Sequence, residues 1–406
     1  MNISRKSFVK ALGGMTALSA FGWAPRSLAE AAQAAGAGAA KSTRITSVEL
    51  FSFSIPRKTP GRNALGTLAS NDAVLVRLRT ADGVSGLGEA SPFPGVMSET
   101  QASDLAVGKD LATIVKGRDA FAIPQIVEAM DAFIPHAPGI KAAFEMALWD
   151  ICGKIAKQPV HRLLGTYRES FETDLTVHLE TPQEMGRLAK SIADQGFRNI
   201  KVKLGEAPAL DIDRMRAIRE AVGPAVNLRI DANQGWSPAN AVIALRGLEK
   251  YDLQFCEQPV PFWDWEGMTF IRGKVAVPIM ADEAIHSPHD VIAGIRRDAM
   301  DMINIKLMKS GGILPALRIA TIADAANIQC MVGCMSETRI ALTAAAHLVF
   351  SQRNIRYADL DSFLLAVMDP VVGGMQVSKG VVQLPDTPGL GVDIDPAFMK
   401  KLQPAG

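Results

Sequence analysis

Five charged residues stand at the ends of five short apolar runs in the middle of the chain. These runs end at Lys203, Asp231, Glu257, Asp282 and Lys306. Successive ends are 28, 26, 25 and 24 residues apart, so one unit recurs with a nearly constant length. A charge at the end of a buried strand is costly unless it is paired or bound to a metal. Five of them in register therefore predict a functional site.

The residue types at these ends indicate metal-assisted proton transfer. Asp231, Glu257 and Asp282 offer only oxygen ligands, which suit Mg²⁺, and the sequence has no HExxH zinc motif. A carbon next to a carboxylate is only weakly acidic, and a metal on that carboxylate stabilises the enediolate that forms when the proton leaves. Lys203 and Lys306 are then the predicted acid and base, with Mg²⁺ as the expected cofactor, one per subunit.

The runs belong to a longer series of elements. From about residue 173 to residue 361, strand-like runs alternate with helix-length segments, which predicts an α/β fold with eight parallel strands in a (β/α)8-type barrel. The C-terminal ends of such strands meet at one mouth, and the second and sixth strands face each other across it. No strong helical pattern follows Asp361, so the eighth unit is expected to lack its helix.

The chain is expected to have four regions. Residues 1–40 have the parts of an export signal, residues 41–165 read as strands followed by helices in an α+β domain, residues 166–370 form the barrel with the catalytic site, and the Gly- and Pro-rich residues 371–406 return to the N-terminal domain.

The order of residue types at the start of the chain indicates an export signal. A basic start that runs from Ser4 to Lys10 precedes an apolar stretch and then small residues. The start resembles a twin-arginine signal, with Lys6 in place of the second arginine, and the apolar stretch is too short to span a membrane. The expected location is periplasmic or exported, and cytoplasmic if the signal is not functional. The alternative is a basic, Ala-rich tail without a targeting role.

Two pairs of residues at i, i+2 spacing extend the site. Lys201 points to the same side of its strand as Lys203 and is expected to lower the pKa of Lys203 and to contact the substrate carboxylate. Asp359 and Asp361 repeat the spacing with acids on the eighth strand, across the mouth from Glu257. An acidic pair there suits a cationic group at the far end of the substrate. A carboxylate at one end and an ammonium at the other describe a dipeptide.

Structural interpretations compete with these assignments. Asp231 and Asp282 also stand where the N-caps of barrel helices occur, and the same holds for Asp359 and Asp361. Glu257 is a poor cap, and lysines have no such role, so the set as a whole favours a site.

The segment that runs from Arg57 to Ser70 is interpreted as a loop. It follows a strand-like run that stops at Pro56, and it contains one more proline and two glycines. Its three basic residues are expected to be solvated, and the alternative is that one of them holds an anionic side chain of the substrate. These residues are Arg57, Lys58 and Arg62.

Composition limits the partners. A net charge of +1 gives no basic footprint for nucleic acid. The four cysteines lack CxxC spacing and are interpreted as buried thiols rather than as a disulfide framework. The expected partners are a small-molecule substrate and further copies of this chain in a homo-oligomer, without nucleic acid and without stable membrane insertion after processing.

The motifs resemble those of the enolase superfamily, in its muconate-lactonising-type branch, over about residues 44–390. The matching segments are Lys201-Val202-Lys203, Asp231-Ala232-Asn233, Glu257-Gln258-Pro259, Ala281-Asp282-Glu283, Asn304-Ile305-Lys306 and, in the N-terminal domain, Gly86-Leu87-Gly88-Glu89-Ala90. The resemblance implies that the α+β domain caps a (β/α)7β TIM-type barrel. It also implies Mg²⁺ on the three acids, with Lys203 and Lys306 as acid/base residues.

Within that branch, Asp359-Leu360-Asp361 resembles the dipeptide epimerase motif, in which two acids hold the substrate α-ammonium. The implied function is a dipeptide epimerase of the L-Ala-D/L-Glu type, which inverts the α-carbon of the C-terminal residue by two-base 1,1-proton transfer during the recycling of cell wall peptides. The alternatives in the superfamily are an N-acylamino acid racemase, an o-succinylbenzoate synthase and a cycloisomerase, whose substrates lack the ammonium. An alternative of another class is a non-catalytic periplasmic ligand-binding protein, against which the second lysine argues.

Overall fold

The computed structural model describes residues 43–405, so the predicted export signal at residues 1–40 lies outside the described residues. No helix within residues 43–405 has both the length and the apolar character needed to cross a membrane. The described chain starts with an antiparallel sheet, continues through a set of helices and then enters a parallel barrel.

The antiparallel sheet is a three-stranded meander whose long first hairpin was not expected. Its strands are β1 (Ile45–Asn63), β2 (Gly66–Thr80) and β3 (Ser85–Ala90). The prediction that the first strand stops at Pro56 and leads into a loop is wrong, because β1 and β2 stay paired to the turn at residues 64–65. The prolines are tolerated since β1 is an edge strand and its register shifts between Pro56 and Gly61. Residues 56–70 are called the hairpin tip below.

Five helices follow the meander, and the two longest of them pack on it. The five helices are α1 (Pro94–Met97), α2 (Gln101–Val115), α3 (Ile123–Phe133), α4 (Pro138–Ala156) and α5 (Val160–Leu164). Helix α4 lies directly on β3 because two glycines there carry no side chain. A Cβ on Gly86 would lie 2.1 Å from the carbonyl oxygen of Ala147, and one on Gly88 would lie 1.8 Å from that of Ala143. The two glycines therefore set how closely sheet and helix approach.

Eight parallel strands form the barrel, and they are hydrogen-bonded in chain order. The strands are β5 (Leu175–Val177), β6 (Asn199–Lys203), β7 (Asn227–Asp231), β8 (Leu253–Glu257), β9 (Ile279–Ala281), β10 (Met302–Ile305), β11 (Gln329–Val332) and β12 (Ile355–Ala358). The helices that connect them are α6 (Pro182–Asp194), α7 (Pro208–Val222), α8 (Pro238–Leu248), α9 (Trp265–Arg272), α10 (Pro288–Arg297), α11 (Leu307–Ser310), α12 (Ile313–Ala325) and α13 (Arg339–Ser351).

The first and last strands are joined by hydrogen bonds at their ends. The backbone N–H of Asp174 donates to Ala358 O at 3.4 Å, and that of Thr176 donates to Asp361 Oδ2 at 2.7 Å. After β12 the chain makes only a 3₁₀ turn, Ser362–Leu365, before it leaves the barrel. The α/β fold class is therefore confirmed as a (β/α)7β barrel with an N-terminal α+β domain.

Methionine, aromatic and cysteine side chains fill part of the barrel interior, together with one arginine. Arg229 lies inside the barrel, with its guanidinium carbon 5.4 Å from the ring centres of both Phe255 and Tyr357. A 3.2 Å ion pair with Asp174 compensates its charge. The four cysteines are free and buried, as the sequence predicted.

The C-terminal segment runs back to the meander. Its short strands are β13 (Val371–Gly373), β14 (Gln376–Ser378), β15 (Val381–Gln383) and β16 (Val392–Ile394), and β14 and β15 form a sheet with β4 (Phe171–Glu172). After the last helix, α14 (Pro396–Met399), the N–H of Ala405 donates to Leu50 O at 2.8 Å. The rings of Phe398 and Phe53 meet edge to face at 5.6 Å.

Glu145 ties the helical layer to the barrel. Its side chain is fully buried on α4 and accepts hydrogen bonds from the N–H groups of Ile313 and Leu314, each at 2.7 Å, at the start of α12. The indole of Trp149 donates to it at 2.7 Å. A helix start has unpaired N–H groups, so this carboxylate caps a barrel helix from the N-terminal domain.

Glu145→Ala is expected to lower the free energy of unfolding by roughly 3 kcal/mol, because it leaves one buried and two partly buried donors without a partner. Urea unfolding followed by circular dichroism measures the change. Glu128→Ala, at an exposed glutamate on α3, is the matched control and should stay within about 0.5 kcal/mol of the wild type. Equal stability of the two variants would contradict the capping role.

Candidate active site

The strand ends bring the predicted charged residues to one mouth. Lys203, Asp231 and Glu257 are the last residues of β6, β7 and β8. Asp282 and Lys306 each follow the last residue of β9 and β10. All five are buried or nearly so, as are Asp359 and Asp361 just beyond β12.

The acids are free for this site because other residues cap the helices. Helix α8 begins after Ser237, whose side chain accepts from the N–H of Asn240, and α10 begins after Ser287 in a capping box. Asp231 and Asp282 therefore cap no helix. Asp361 precedes the 3₁₀ turn, but its side chain makes no capping hydrogen bond there.

Three carboxylates converge closely enough to share one cation. Oxygen atoms of Asp231, Glu257 and Asp282 lie within 4.8 Å of one another, and all three side chains are fully buried. Glu257 Oε1 accepts from Asn304 Nδ2 at 2.9 Å, and Glu257 Oε2 lies 2.9 Å from Lys201 Nζ. An all-oxygen donor set of three buried carboxylates fits a hard divalent cation such as Mg²⁺.

Unusual backbone next to two of the acids fixes their orientation. Asn233 and Gln258 have φ angles of 41° and 33°, in the left-handed region. The N–H of Asn233 donates to Asp231 Oδ1 at 2.8 Å. The side-chain oxygen of Gln258 accepts from the N–H of Asp282 at 2.9 Å. Sequence reasoning placed both residues in motifs without giving either a structural role.

The two predicted acid/base lysines each contact a different acid of the triad. Lys203 Nζ donates to Asp231 Oδ2 and Lys306 Nζ donates to Asp282 Oδ2, both at 2.7 Å. Burial lowers the pKa of Lys306, but the charges of Asp282 and Glu257 outweigh it and raise the pKa above the ordinary lysine value. Strands β6 and β10 are four apart in the ring, so the lysines stand on opposite sides of the mouth.

Lys201 is the cation at the centre of the acids. Its Nζ lies 2.7 Å from Asp359 Oδ2, 2.9 Å from Glu257 Oε2 and 3.1 Å from Asp231 Oδ2. Burial lowers its pKa, but the charges of Asp359 and Glu257 raise it well above the ordinary value. Lys201 therefore stays charged and links the carboxylate triad to the acidic pair.

The acidic pair lines the same cavity as the lysines, a space of about 270 Å³. Asp361 Oδ2 accepts from the N–H of Thr176, which fixes that carboxylate at the junction of β5 and β12. Asp359 Oδ1 is buried and has no hydrogen-bond partner within residues 43–405. The cavity thus offers an unpaired acceptor for a cationic group.

Lys309 belongs to this cluster and was missed. It is fully buried, and its Nζ lies 2.5 Å from Asp282 Oδ1 and also contacts Asp282 O. The sequence did contain a signal for Lys309. It lies three residues after Lys306, which is one helical turn along α11, but it does not lie at a strand end.

The three basic residues of the hairpin tip separate into different environments. Lys58 Nζ donates to Leu364 O at 2.8 Å, and Arg62 pairs with Glu206 in the loop after β6. Only Arg57 is buried, at 8% exposure, and it lines the cavity together with His178.

Two family models match the chain. The Mandelate racemase / muconate lactonizing enzyme, N-terminal domain, matches residues 45–165, and the model for Enolase C-terminal domain-like matches residues 184–398. The chain belongs to the enolase superfamily. The resemblance stated from the motifs is therefore confirmed.

Three similar proteins of this superfamily are epimerases or racemases. The L-Ala-D/L-Glu epimerase of Clostridium acetobutylicum is 38% identical over 352 residues, which cover 86% of this chain and 98% of the relative. The crystal structure of the dipeptide epimerase from Cytophaga hutchinsonii, complexed with Mg and D-Ala-L-Val, matches at a TM-score of 0.87 and 38% identity, covering 89% of this chain and 99% of that one. The crystal structure of the N-succinyl Arg/Lys racemase from Bacillus cereus matches at a TM-score of 0.86 and 33% identity. The match covers 89% of this chain and 98% of that one.

Mg²⁺ is expected to raise the melting temperature of the wild type, and Glu257→Gln is expected to remove that shift because the triad loses one charged ligand. At a metal concentration of 100 times Kd, the wild-type gain corresponds to about 2.7 kcal/mol. Differential scanning calorimetry with and without Mg²⁺ measures both. Asp213→Asn, at an exposed acid on α7, is the control and should keep the full shift. A full shift in Glu257→Gln would exclude this triad as the metal site.

Proposed function

We propose that this chain is a Mg²⁺-dependent dipeptide epimerase that inverts the α-carbon of the C-terminal residue by 1,1-proton transfer. The observation that carries the proposal is the cavity itself. It exposes Lys203 and Lys306 from opposite strands and, beyond them, an acidic pair with an unpaired oxygen on Asp359. The names of the relatives in Clostridium acetobutylicum and Cytophaga hutchinsonii support the same activity.

The proposed roles follow from the positions of the side chains. Asp231, Glu257 and Asp282 would hold one Mg²⁺ per subunit, which when bound supplies positive charge to stabilise the enediolate of the substrate. Lys203 and Lys306 exchange protons with opposite faces of the α-carbon, one as base and the other as acid.

The remaining polar residues position the substrate and the acids. Asp359 and Asp361 bind the α-ammonium, and they place the amino end of the dipeptide at the junction of β5 and β12. Lys201 holds the carboxylates of Asp231 and Asp359 in place, so its proposed role is support for both ends of the site.

A second candidate function is an N-acylamino acid racemase. It is favoured by the similarity to the Bacillus cereus N-succinyl Arg/Lys racemase. The two candidates differ at the amino end of the substrate, because an N-acyl group carries no ammonium and would leave Asp359 Oδ1 unpaired in a buried site. A non-catalytic binding protein has no use for lysines on both faces of the ligand.

Location and assembly complete the proposal. The chain is exported through the twin-arginine-like signal at residues 1–40 and acts as a homo-oligomer on peptides released from the cell wall. In this arrangement residues 41–165 cap the site, residues 166–370 form the barrel and residues 371–406 return to the capping domain. Fractionation of cells that produce the full chain tests the export, and retention in the cytoplasm would contradict it.

Single-lysine variants are expected to separate exchange from inversion. In deuterated water the wild type should exchange the α-proton of both L-Ala-L-Glu and L-Ala-D-Glu. Lys203→Ala and Lys306→Ala should each lose inversion by roughly 1,000-fold and exchange only one epimer, opposite in the two variants, because one base remains on one face. Nuclear magnetic resonance measures exchange and chiral chromatography measures inversion.

Two results would count against this reading. If the wild type exchanges no α-proton of any dipeptide, the epimerase proposal fails. If one single-lysine variant still exchanges both epimers, the two-base arrangement fails even though the activity stands.

Asp361→Asn is expected to lower kcat/KM for L-Ala-L-Ala by roughly 10- to 100-fold, because a charged partner of the ammonium is lost. Asparagine keeps one side-chain oxygen for the N–H of Thr176, so the fold of the strand end is preserved. Steady-state kinetics with N-propionyl-L-alanine as the comparison substrate isolate the ammonium, because this compound is L-Ala-L-Ala without that group. A loss that is equal for both substrates would contradict ammonium binding by Asp361.

A further inference from the structure

Arg57 is a buried cation with spare hydrogen-bonding capacity inside the substrate cavity. Arg57 is 8% exposed, and its side-chain hydrogen bond within residues 43–405 joins Nη2 to His178 Nε2 at 3.0 Å. Its Nε is buried and has no partner among these residues. An unsatisfied buried guanidinium N–H is costly, so an acceptor from a ligand would be stabilising there.

The surrounding chain is built to hold Arg57 in this place. An antiparallel bridge joins it to Ala366, and the N–H of Val367 donates to Pro56 O at 2.9 Å. Gly61 on the same strand leaves the space that the guanidinium and the imidazole occupy. A Cβ there would lie 2.9 Å from the His178 ring and 3.1 Å from Arg57 Nη2.

His178 contributes as a neutral acceptor. Burial and the positive charge of Arg57 lower the pKa of His178 to about 3, so the ring is uncharged and its Nε2 accepts the guanidinium proton. A neutral partner orients Arg57 without cancelling its charge. The opposite charge that acts on Arg57 inside the cavity is that of Asp361, which is also proposed to bind the substrate ammonium.

Arg57 stands at the amino end of the proposed substrate. His178 lies two residues after Thr176, whose N–H binds Asp361, so the guanidinium is above the junction of β5 and β12 and not above the carboxylate triad on β7 to β9. Arg57 and the acidic pair line one cavity. When the acidic pair binds an ammonium, Arg57 is left beside a second positive charge unless the substrate also brings an anion.

From this arrangement we infer that the substrates are dipeptides whose first residue is acidic, aspartyl or glutamyl. The α-ammonium of that residue contacts Asp359 and Asp361, and its side-chain carboxylate contacts Arg57. The inference rests on the proposed epimerase function and adds the class of the N-terminal residue to it.

The wild type tests the inference with substrates that differ by single groups. L-Asp-L-Ala and L-Asn-L-Ala differ in side-chain charge, and N-succinyl-L-alanine is L-Asp-L-Ala without the ammonium. We expect kcat/KM to be roughly 10- to 100-fold higher for L-Asp-L-Ala or L-Glu-L-Ala than for the matching amides. No preference for either acid over its amide would overturn the inference, and turnover of L-Ala-L-Ala in the same assay would show that the epimerase function survives.

Variants of the hairpin tip test whether Arg57 causes the preference for an acidic first residue. Arg57→Gln should bring the acid-to-amide ratio of kcat/KM close to one. Lys58→Ala is the matched control on the same strand, whose side chain binds Leu364 O, and it should keep the wild-type ratio. A ratio unchanged in Arg57→Gln would overturn the assignment. Because the wild-type comparison needs no variant, poor folding of Arg57→Gln leaves the inference testable.

Two further outcomes would count against the proposed dipeptide epimerase function itself. Turnover of N-succinyl-L-alanine above that of L-Asp-L-Ala would overturn both the inference and the dipeptide function in favour of an N-acylamino acid racemase. Absence of turnover for every dipeptide would remove the proposed function, and the inference with it.

Discussion

The site depends on one buried cation among carboxylates. The triad oxygens lie within 4.8 Å of one another, and two charges at that separation repel by roughly 3 kcal/mol at an effective dielectric constant of about 20. Lys201 offsets this repulsion from the middle, because its ammonium lies within 3.1 Å of two triad acids and of Asp359. Without it, the triad and the acidic pair would repel each other across the cavity. The acids proposed to bind the metal and those proposed to bind the substrate ammonium therefore share one counter-ion, the ammonium of Lys201.

The barrel makes this arrangement possible by supplying side chains from rigid strand ends. The helices that follow are capped by Ser237 and Ser287, which leaves the neighbouring aspartates without a structural duty. Left-handed backbone at Asn233 and Gln258 then directs N–H and amide groups onto the acids. Strain of this kind persists where the surrounding structure imposes it, and Asn233, Gln234 and Gln258 carry it in the loops beside the triad.

The sequence predicted the barrel and its charged residues well because both depend on local pattern. Each βα unit ends one strand at the mouth of the barrel. The regular spacing of the charged residues from Lys203 to Lys306 therefore predicted that they meet there. The hairpin tip could not be read this way. Arg57, Lys58 and Arg62 look alike in the sequence, and what separates them is distant in the chain: Leu364 O binds Lys58, and Glu206 pairs with Arg62. Pro56 also suggested the end of a strand, because the sequence does not reveal that β1 is an edge strand that tolerates it.

Lys309 contacts Asp282 as Lys201 contacts Asp231, so each lysine proposed for proton transfer has a second lysine on the same acid. Asp231 contacts Lys203 at 2.7 Å and Lys201 at 3.1 Å, and Asp282 contacts Lys306 at 2.7 Å and Lys309 at 2.5 Å. In each set the lysine assigned to proton transfer keeps some exposure, 12% and 7% of its side chain, while the other has 1% or less. Under the proposed function, the more exposed lysine of each set loses its ammonium charge when it gives up its proton, and the buried lysine remains beside the same carboxylate.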